Sequence, residues 1–295
     1  MENKLNVDVC ICAYNEEANI SNLLTALLNQ KTKLIEISNI VVVSSGSTDK
    51  TNDITKEFIK KNKKIKLIQQ NKREGKAAAI NDFLKITKAD LTVLESGDTV
   101  PTENTIEELC SPFVNNEKLG MTGCRSIPSN KQDNLLGYII HFWWWVSSKL
   151  PRYGEIIAFR NVIPRLNPKT SVDEAWVETK LQKMGYTLNY VDTTFIHNKG
   201  ADNLTDLLKQ RRRVYVGHTQ LRTYEKYKVT SFNFLDILKY LIKYWKKSPS
   251  LIHLIWLIEG CFIEIYGRLL GMYDMHIKHK NPYKWDIATT TKKIK

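Results

Sequence analysis

Leu91 to Pro101 reads LTVLESGDTVP. Leu91, Val93 and Leu94, with β-branched Thr92 among them, form a short apolar run that predicts a buried strand. The run stops at Ser96-Gly97-Asp98, three turn-forming residues. In an open α/β sheet, ligands bind in the crevice beyond the carboxyl ends of the strands. An acidic residue at that point has two readings, and both stand here. Asp98 either initiates a turn, or it holds a divalent cation that bridges it to a diphosphate, since carboxylate and phosphate repel without one. Mg2+ or Mn2+ with oxygen ligands suits the second role.

Working outward, Val7 to Cys12, Ile40 to Val43 and Ile65 to Ile68 repeat the pattern of a buried strand. Each is followed by a loop and then a helix-forming stretch. Ile20, Leu23, Leu24, Leu27 and Leu28 carry helical apolar spacing. The basic loop Lys72-Arg73-Glu74-Gly75-Lys76 leads into the helix former Ala77-Ala78-Ala79-Ile80. Strands alternating with helices predict a Rossmann-like, mostly parallel α/β sheet with right-handed crossovers and flanking helices. Beyond it, Leu119 to Cys124 and Tyr186 to Val191 predict strands, as does GEIIAFR at Gly154 to Arg160. Leu135 to Leu150 is apolar and holds Trp143-Trp144-Trp145, which cannot all face one way. A helix opens at Ser171-Val172-Asp173-Glu174 and stops at Gly185.

The chain has 295 residues, 42% of them hydrophobic, enough for one large domain or two small ones. Its five cysteines are odd in number and scattered, which favours reduced, buried thiols in a cytosolic chain. Cys10 and Cys12 are read as facing opposite sides of their strand. The opening MENKLNVDV lacks the apolar core of a signal peptide, so a cytoplasmic location is expected. The net charge of +13 is concentrated late: from Lys209 onward there are 18 Lys plus Arg against 6 Asp plus Glu. Such a basic region predicts an anionic partner. Without a recognised nucleic-acid module, nucleic acid is not expected.

The C-terminal stretch, 229–295, reads as a helical appendage to a catalytic unit spanning 1–228. Phe232, Leu235, Leu238, Leu241, Ile242 and Trp245 fall at helical spacing among Lys239, Lys243, Lys246 and Lys247. That is the composition of an interfacial membrane helix. Leu251 to Tyr273 is strongly apolar but interrupted by His253, Glu259, Glu264 and Arg268, so it does not read as a simple spanning helix. A place on or partly in a membrane and a buried helical hairpin both fit, and the cytoplasmic face of a membrane is the expected location.

Six segments, in order, carry a resemblance. They are VCICAYNEE (Val9 to Glu17), VVVSSGSTDKT (Val41 to Thr51), REGKAAAIN (Arg73 to Asn81), ESGDTVP (Glu95 to Pro101), SVDEAWVETKLQKMG (Ser171 to Gly185) and QRRRV (Gln210 to Val214). Together they resemble the inverting family 2 glycosyltransferases of GT-A fold, over roughly residues 5 to 220. The resemblance implies a nucleoside-diphosphate sugar donor, a glycan or lipid-linked acceptor and a divalent metal. It places Ala13, Tyr14, Asn15, Glu16, Ser45, Arg73, Gly75, Lys76, Gly97, Asp98, Gln210 and Arg213 at the donor. It gives Asp98 and His197 to the metal. Three departures are visible. Ser96 stands where the first Asp of the DxD motif belongs, Ser44-Ser45 stands where many relatives carry Asp-Asp, and the catalytic Glu-Asp pair is inverted to Asp173-Glu174. Counting back from Gly185 puts Glu174 at the position of the base, with Asp173 second.

The chemistry of such a transfer agrees with these residue types. It needs a carboxylate to take the proton from the acceptor hydroxyl. It also needs cations around the departing diphosphate: Lys76, Arg211 and Arg213 beside the metal. Ser171 and Glu174 also fit a capping box, S-x-x-E, so a purely structural role for Glu174 stands beside the catalytic one. Two alternatives compete with the leading reading: a nucleotidyltransferase of similar sheet architecture, and a degenerate nucleotide-sugar-binding scaffold, favoured by Ser45 and Ser96.

Overall fold

The computed structural model describes residues 4–150, 153–226, 234–284 and 289–291. Its centre is an eight-stranded sheet in the order β3-β2-β1-β4-β7-β6-β8-β5. The strands are β1 (Leu5–Ala13), β2 (Ile35–Ser45), β3 (Ile65–Gln70), β4 (Leu91–Ser96), β5 (Thr99–Pro101), β6 (Leu119–Pro128), β7 (Ile156–Arg160) and β8 (Thr187–Asn198). The β3-β2-β1-β4 half is parallel throughout, as strands alternating with helices dictate. β7 then runs antiparallel to both β4 and β6, β8 is parallel to β6, and short β5 is antiparallel to β8.

The inner parallel strands, β1, β2 and β4, carry apolar residues on both faces because both faces are covered, while edge strand β3 exposes Lys66 and Gln69. Val7, Val9 and Ile11 of β1 pack with Ile20, Leu23, Leu24 and Leu27 of α1 (Ile20–Leu28). Cys10, Val41, Val43 and Leu94 point the other way, to Ala79, Ile80 and Phe83 of α3 (Lys76–Leu84) and to Trp176 of α6 (Asp173–Lys183). Between these lies α2 (Thr51–Lys61), and α4 (Thr105–Cys110) follows β5. Cys10 and Cys12 share a face, with their sulfurs 4.0 Å apart. The expectation of opposite faces is corrected by the two-residue period of a strand. All five cysteines are free.

Register sets where the loops emerge. Cys12 pairs with Ser96, Ala13 with Ser44, and Ser45 with Gln70. The ends of β1, β2, β3 and β4 therefore lie level along one edge, and every loop that follows them opens on the same side.

The C-terminal part is helical: α7 (Leu204–Glu225), α8 (Phe234–Trp245) and α9 (Leu251–His276). These helices do not stand apart. Tyr138, Phe142 and Val146 of α5 (Leu135–Lys149) form one core with Leu241 and Tyr244 of α8 and Leu257 of α9. Tyr244 meets Tyr138 and Phe142 at ring separations of 5.5 and 5.3 Å. Among the described residues, no helix is long and apolar enough to cross a membrane. The expected boundary at 228/229, and Phe232 with it, lie outside the described residues.

Candidate active site

The sheet edge opens into a cavity of about 590 Å³. Its floor is the loop after β1, and that loop is built by its neighbour. Asn15 adopts a left-handed φ of 53°, a conformation Asn tolerates. Its Oδ1 accepts from the Thr48 N–H at 2.9 Å, and its own N–H donates to Ser47 Oγ at 3.1 Å. The N–H groups of Glu16 and Glu17 donate to Thr51 Oγ1 and Asp49 Oδ2. The AYNEE and SSGSTDKT segments are thus one interlocked unit. Ala13, Tyr14 and Glu16 line the cavity, while Asn15 lies outside the lining and fixes the turn. Arg73 stacks its guanidinium over the Tyr14 ring, 4.3 Å from the centroid. Ser45 also lines the cavity; its Oγ donates to Gln70 Oε1 at 2.6 Å and accepts from the Glu74 N–H.

Gly75 is required by its backbone. It starts α3 at φ 97°, and a Cβ there would lie 2.7 Å from the carbonyl oxygen of Tyr283. The next residue, Lys76, is the centre of the charge arrangement. Its Nζ lies 2.9 Å from Asp173 Oδ2 and 2.5 Å from Glu174 Oε1. Burial opposes the ammonium charge, but Asp173 and Glu174 outweigh it and hold the Lys76 pKa well above its ordinary value. The two carboxylates are not equivalent. Asp173 is 1% exposed and outside the cavity lining, whereas Glu174 lines the cavity. Burial, and then the charge of Asp173, push Glu174 up to about 7 against the pull of Lys76. The capping box of Ser171 and Glu174 does not form: α6 is preceded by Val172, with no side-chain cap, and the Glu174 carboxylate, in the first turn of the helix, goes to Lys76.

Gly97 and Asp98 line the cavity just past β4. Two further carboxyls gather there. Glu95, the last but one residue of β4, is fully buried with Oε2 lacking a hydrogen-bond partner, and burial raises it to about 8. Its other oxygen is hydrogen-bonded to Thr99 Oγ1. Glu155 lines the cavity, and burial, with Asp98 next, raises its pKa. Glu155 escaped the sequence reading, and Glu95 entered it only as a carboxylate one place out of register with the DxD motif. Glu155 precedes β7, and only the antiparallel direction of that strand brings its start to the end of β4, where Glu95 pairs with Ile156. A residue preceding a strand looks remote from the ligand edge until that direction is known.

Among the described residues there is no cluster of three His, Cys, Asp or Glu side chains placed to hold a metal. His197 sits on β8 opposite Val100 of β5, exposed, edge-on to Phe195 at 5.3 Å, and outside the cavity lining. The structure therefore does not bring His197 together with Asp98 in the cavity. The donor set at Asp98 fits a cation that keeps most of its ligands from a diphosphate and water, as Mg2+ and similar ions do, rather than one caged by protein.

The opposite wall comes from α7, α9 and the chain that follows. Gln210, Arg211 and Arg213 line it. Burial lowers the Arg213 pKa, although Glu174, Asp173 and Glu155 all favour its charge. Arg212 forks onto Asp274 of α9 with two contacts of 2.6 Å. Trp143 and Trp144 of α5 reach the cavity, while Trp145 packs on Tyr240 and Tyr244 of α8. Lys280, Asn281, Pro282, Tyr283 and Lys284 also border the cavity. Asn281 Nδ2 ties this segment to the Lys169 carbonyl at 3.2 Å. Nothing in the sequence marked that return, because it is a long-range contact made by an irregular segment.

Residues 8–161 match the sequence profile of the family described as Glycosyl transferase family 2. The chain is 22% identical to a probable glycosyltransferase, YdaM, of Bacillus subtilis (strain 168), over 92% of this chain and 68% of that one. It is 28% identical to a poly-beta-1,6-N-acetyl-D-glucosamine synthase of Staphylococcus epidermidis, over 45% of this chain and 31% of that one. In fold it is similar to a mannosyltransferase, PcManGT, from Pyrobaculum calidifontis in complex with GDP-Man and Mn2+, at a TM-score of 0.60 and 18% identity. That match covers 96% of this chain and 83% of the other. A second likeness of fold is to glucosyl-3-phosphoglycerate synthase from Mycobacterium tuberculosis in complex with Mn2+, UDP and phosphoglyceric acid. Its TM-score is 0.54 at 16% identity, covering 77% of this chain and 80% of that one.

Proposed function

The chain belongs to glycosyl transferase family 2 and is a glycosyltransferase, and we propose that it moves a sugar from a nucleoside-diphosphate sugar to an acceptor hydroxyl with inversion, Glu174 serving as base. The observation that carries this reading is that Glu174, raised to about 7 by burial, lines the same cavity as Asp98 and the cations of the G-K loop and α7.

The reaction is an in-line displacement. Glu174 takes the proton of the acceptor hydroxyl, the freed oxygen bonds to the anomeric carbon, and the bond from that carbon to the diphosphate breaks. Asp173, buried behind Glu174, keeps Lys76 charged and pinned so that the base faces the acceptor. Arg73, Lys76 and Arg213 lie where positive charge offsets the charge developing on the leaving diphosphate. Asp98 would hold a divalent cation, Mg2+ or Mn2+, which when bound would supply further neutralisation there. The Mn2+ in the two related structures supports a metal requirement. Trp143 and Trp144 offer rings on which an acceptor sugar can stack, and a glycan or lipid-linked acceptor fits that wall.

The test is release of nucleoside diphosphate from a panel of UDP and GDP sugars, with Mn2+, Mg2+ or EDTA. Metal-dependent release from one donor is the expected result. Release of pyrophosphate would assign a nucleotidyltransferase, and binding without turnover a scaffold. Asp98→Asn should abolish most of the metal-dependent affinity for the nucleoside diphosphate while the fold persists. Unchanged affinity in calorimetric titration would remove Asp98 from the metal.

A further inference from the structure

Helix α9 is built inside out. Its buried positions include Gly260, Gly267 and Gly271, where an added Cβ would meet Ile139, Arg211 and Tyr215 at 2.8, 2.7 and 2.9 Å. Its outward positions are large and apolar. Leu251, Ile255, Ile258, Phe262, Ile265 and Leu269 are all exposed, Phe262 by 66% and Leu251 by 74%. Their spacing alternates four and three residues, so they form one continuous stripe on one side of the helix. Over 26 residues the helix is about 39 Å long. A soluble helix shows the reverse arrangement, with its apolar stripe inward. Small residues inward and large apolar ones outward is the arrangement of a helix that packs on protein with its back to lipid.

We propose that this outer face of α9 is a docking surface for an anionic bilayer, with the helix lying in the plane of the interface. Two observations choose lipid over a second protein. The stripe is broad: Ile252, Tyr266 and Tyr273 widen it on one flank, with Glu259 the acidic residue exposed within it. A helix-pairing seam is narrower and is edged by charges that select a partner. Charge decides the rest. Exposed Lys243 and Lys246 precede the stripe, and exposed Lys278 and Lys280 follow it. A second copy would bring the same lysines, whereas lipid phosphates accept them at both ends of the helix. The inner side of α9 meanwhile carries Glu264 and Asp274, paired to Arg211, Arg268 and Arg212, so the acids on that side are neutralised within the protein. Glu264, Arg268 and Asp274 also border the cavity. Docking through α9 sets the cavity wall at the lipid surface, where a lipid-linked acceptor is met. The stripe assigns insertion to α9 rather than to α8, where Leu238 and Ile242 are the exposed apolar residues.

The experiment is co-sedimentation of the full chain with phosphatidylcholine vesicles, with and without phosphatidylglycerol, at low and high salt. The protein should pellet with the anionic vesicles, less strongly at high salt but still detectably, because the apolar part is not screened. Ile258→Ser with Phe262→Ser should weaken partitioning at least tenfold with an unchanged circular dichroism spectrum and unchanged turnover on a soluble acceptor. Wild-type protein left in the supernatant in every condition overturns the proposal, as does a double variant that pellets equally well. A dimer in sedimentation velocity that the double variant dissociates assigns the face to a second copy and also overturns it.

Discussion

Glu174 and Asp173 are neighbours in sequence with different surroundings. Spacing alone left three roles for the pair: cap, first base and second base. Adjacent helix positions are turned about 100° apart, and that turn sends Asp173 under Lys76 and Glu174 to the cavity. Glu174→Gln should lower turnover by roughly a hundredfold or more, with nucleotide affinity nearly unchanged in titration. A normally active Glu174→Gln enzyme with a dead Asp173→Asn enzyme would move the base one residue back. The base works deprotonated, so with its pKa raised by burial to about 7 the rate should fall as pH drops below that value. Glu95 offers a different pH signature. Its pKa rises from 4.5 to about 8 because its carboxyl is buried, so the folded protein holds a proton there that the unfolded chain has lost. That contribution to stability is fully present below pH 4.5 and is lost as pH rises through about 8. The Thr99 hydroxyl has one proton and also lies 2.8 Å from the Ser96 carbonyl, an arrangement that suits a protonated Glu95 donating to Thr99. Glu95→Gln keeps a neutral donor. Its melting midpoint should match wild type near pH 4, below the unfolded pKa, and exceed it near pH 9. Equal midpoints at both values would mean that Glu95 is ionised in the fold. The sequence put Glu95 one place out of the metal motif and so gave no reason to examine its burial.

At the scale of elements, the parallel half of the sheet was legible because its evidence is local. Apolar runs of strand length, each closed by turn residues and followed by helical spacing, leave few other solutions. The direction of β7 was not legible, since the apolar pattern of GEIIAFR is the same read either way along the sheet. The long helices were legible by period, yet their faces were not. Apolar residues surround α9 in sequence, and only the positions of its glycines say which side packs inward. Gly267 tests that packing. A side chain there must displace the Cβ of Arg211, which belongs to the stem of that residue and cannot swing aside as a long side chain's tip would. Gly267→Leu should therefore destabilise by about 1–3 kcal/mol, or several degrees in the thermal midpoint, despite the better helix propensity of Leu. A midpoint at or above wild type would mean that α9 is loosely applied to α7.

At the scale of the whole molecule, the C-terminal part borders the cavity beside the G-K loop. From α9 the chain returns across the sheet edge, where the Tyr283 carbonyl covers Gly75, Asn281 bonds to Lys169, and Lys280 and Lys284 border the cavity. Farther on, Thr290 donates twice to Asp206 at the start of α7. This return places two cations and a backbone cover beside the G-K loop, the loop expected to meet the diphosphate. Removing 278–295 should weaken binding of UDP or GDP with Mn2+, read by calorimetry, by roughly three- to tenfold, the scale of two partly solvated charge contacts. Raising the salt should shrink that difference, because exposed charges are screened over about 8 Å at physiological ionic strength. Lys280→Ala with Lys284→Ala separates charge from cover, since it removes the cations and leaves the backbone over Gly75. If the double variant matches the truncation, charge accounts for the whole effect. If it binds like wild type while the truncation is weak, the cover does. Full affinity in both proteins, each with one cooperative melting transition, would show that the return is structural and takes no part in holding the donor.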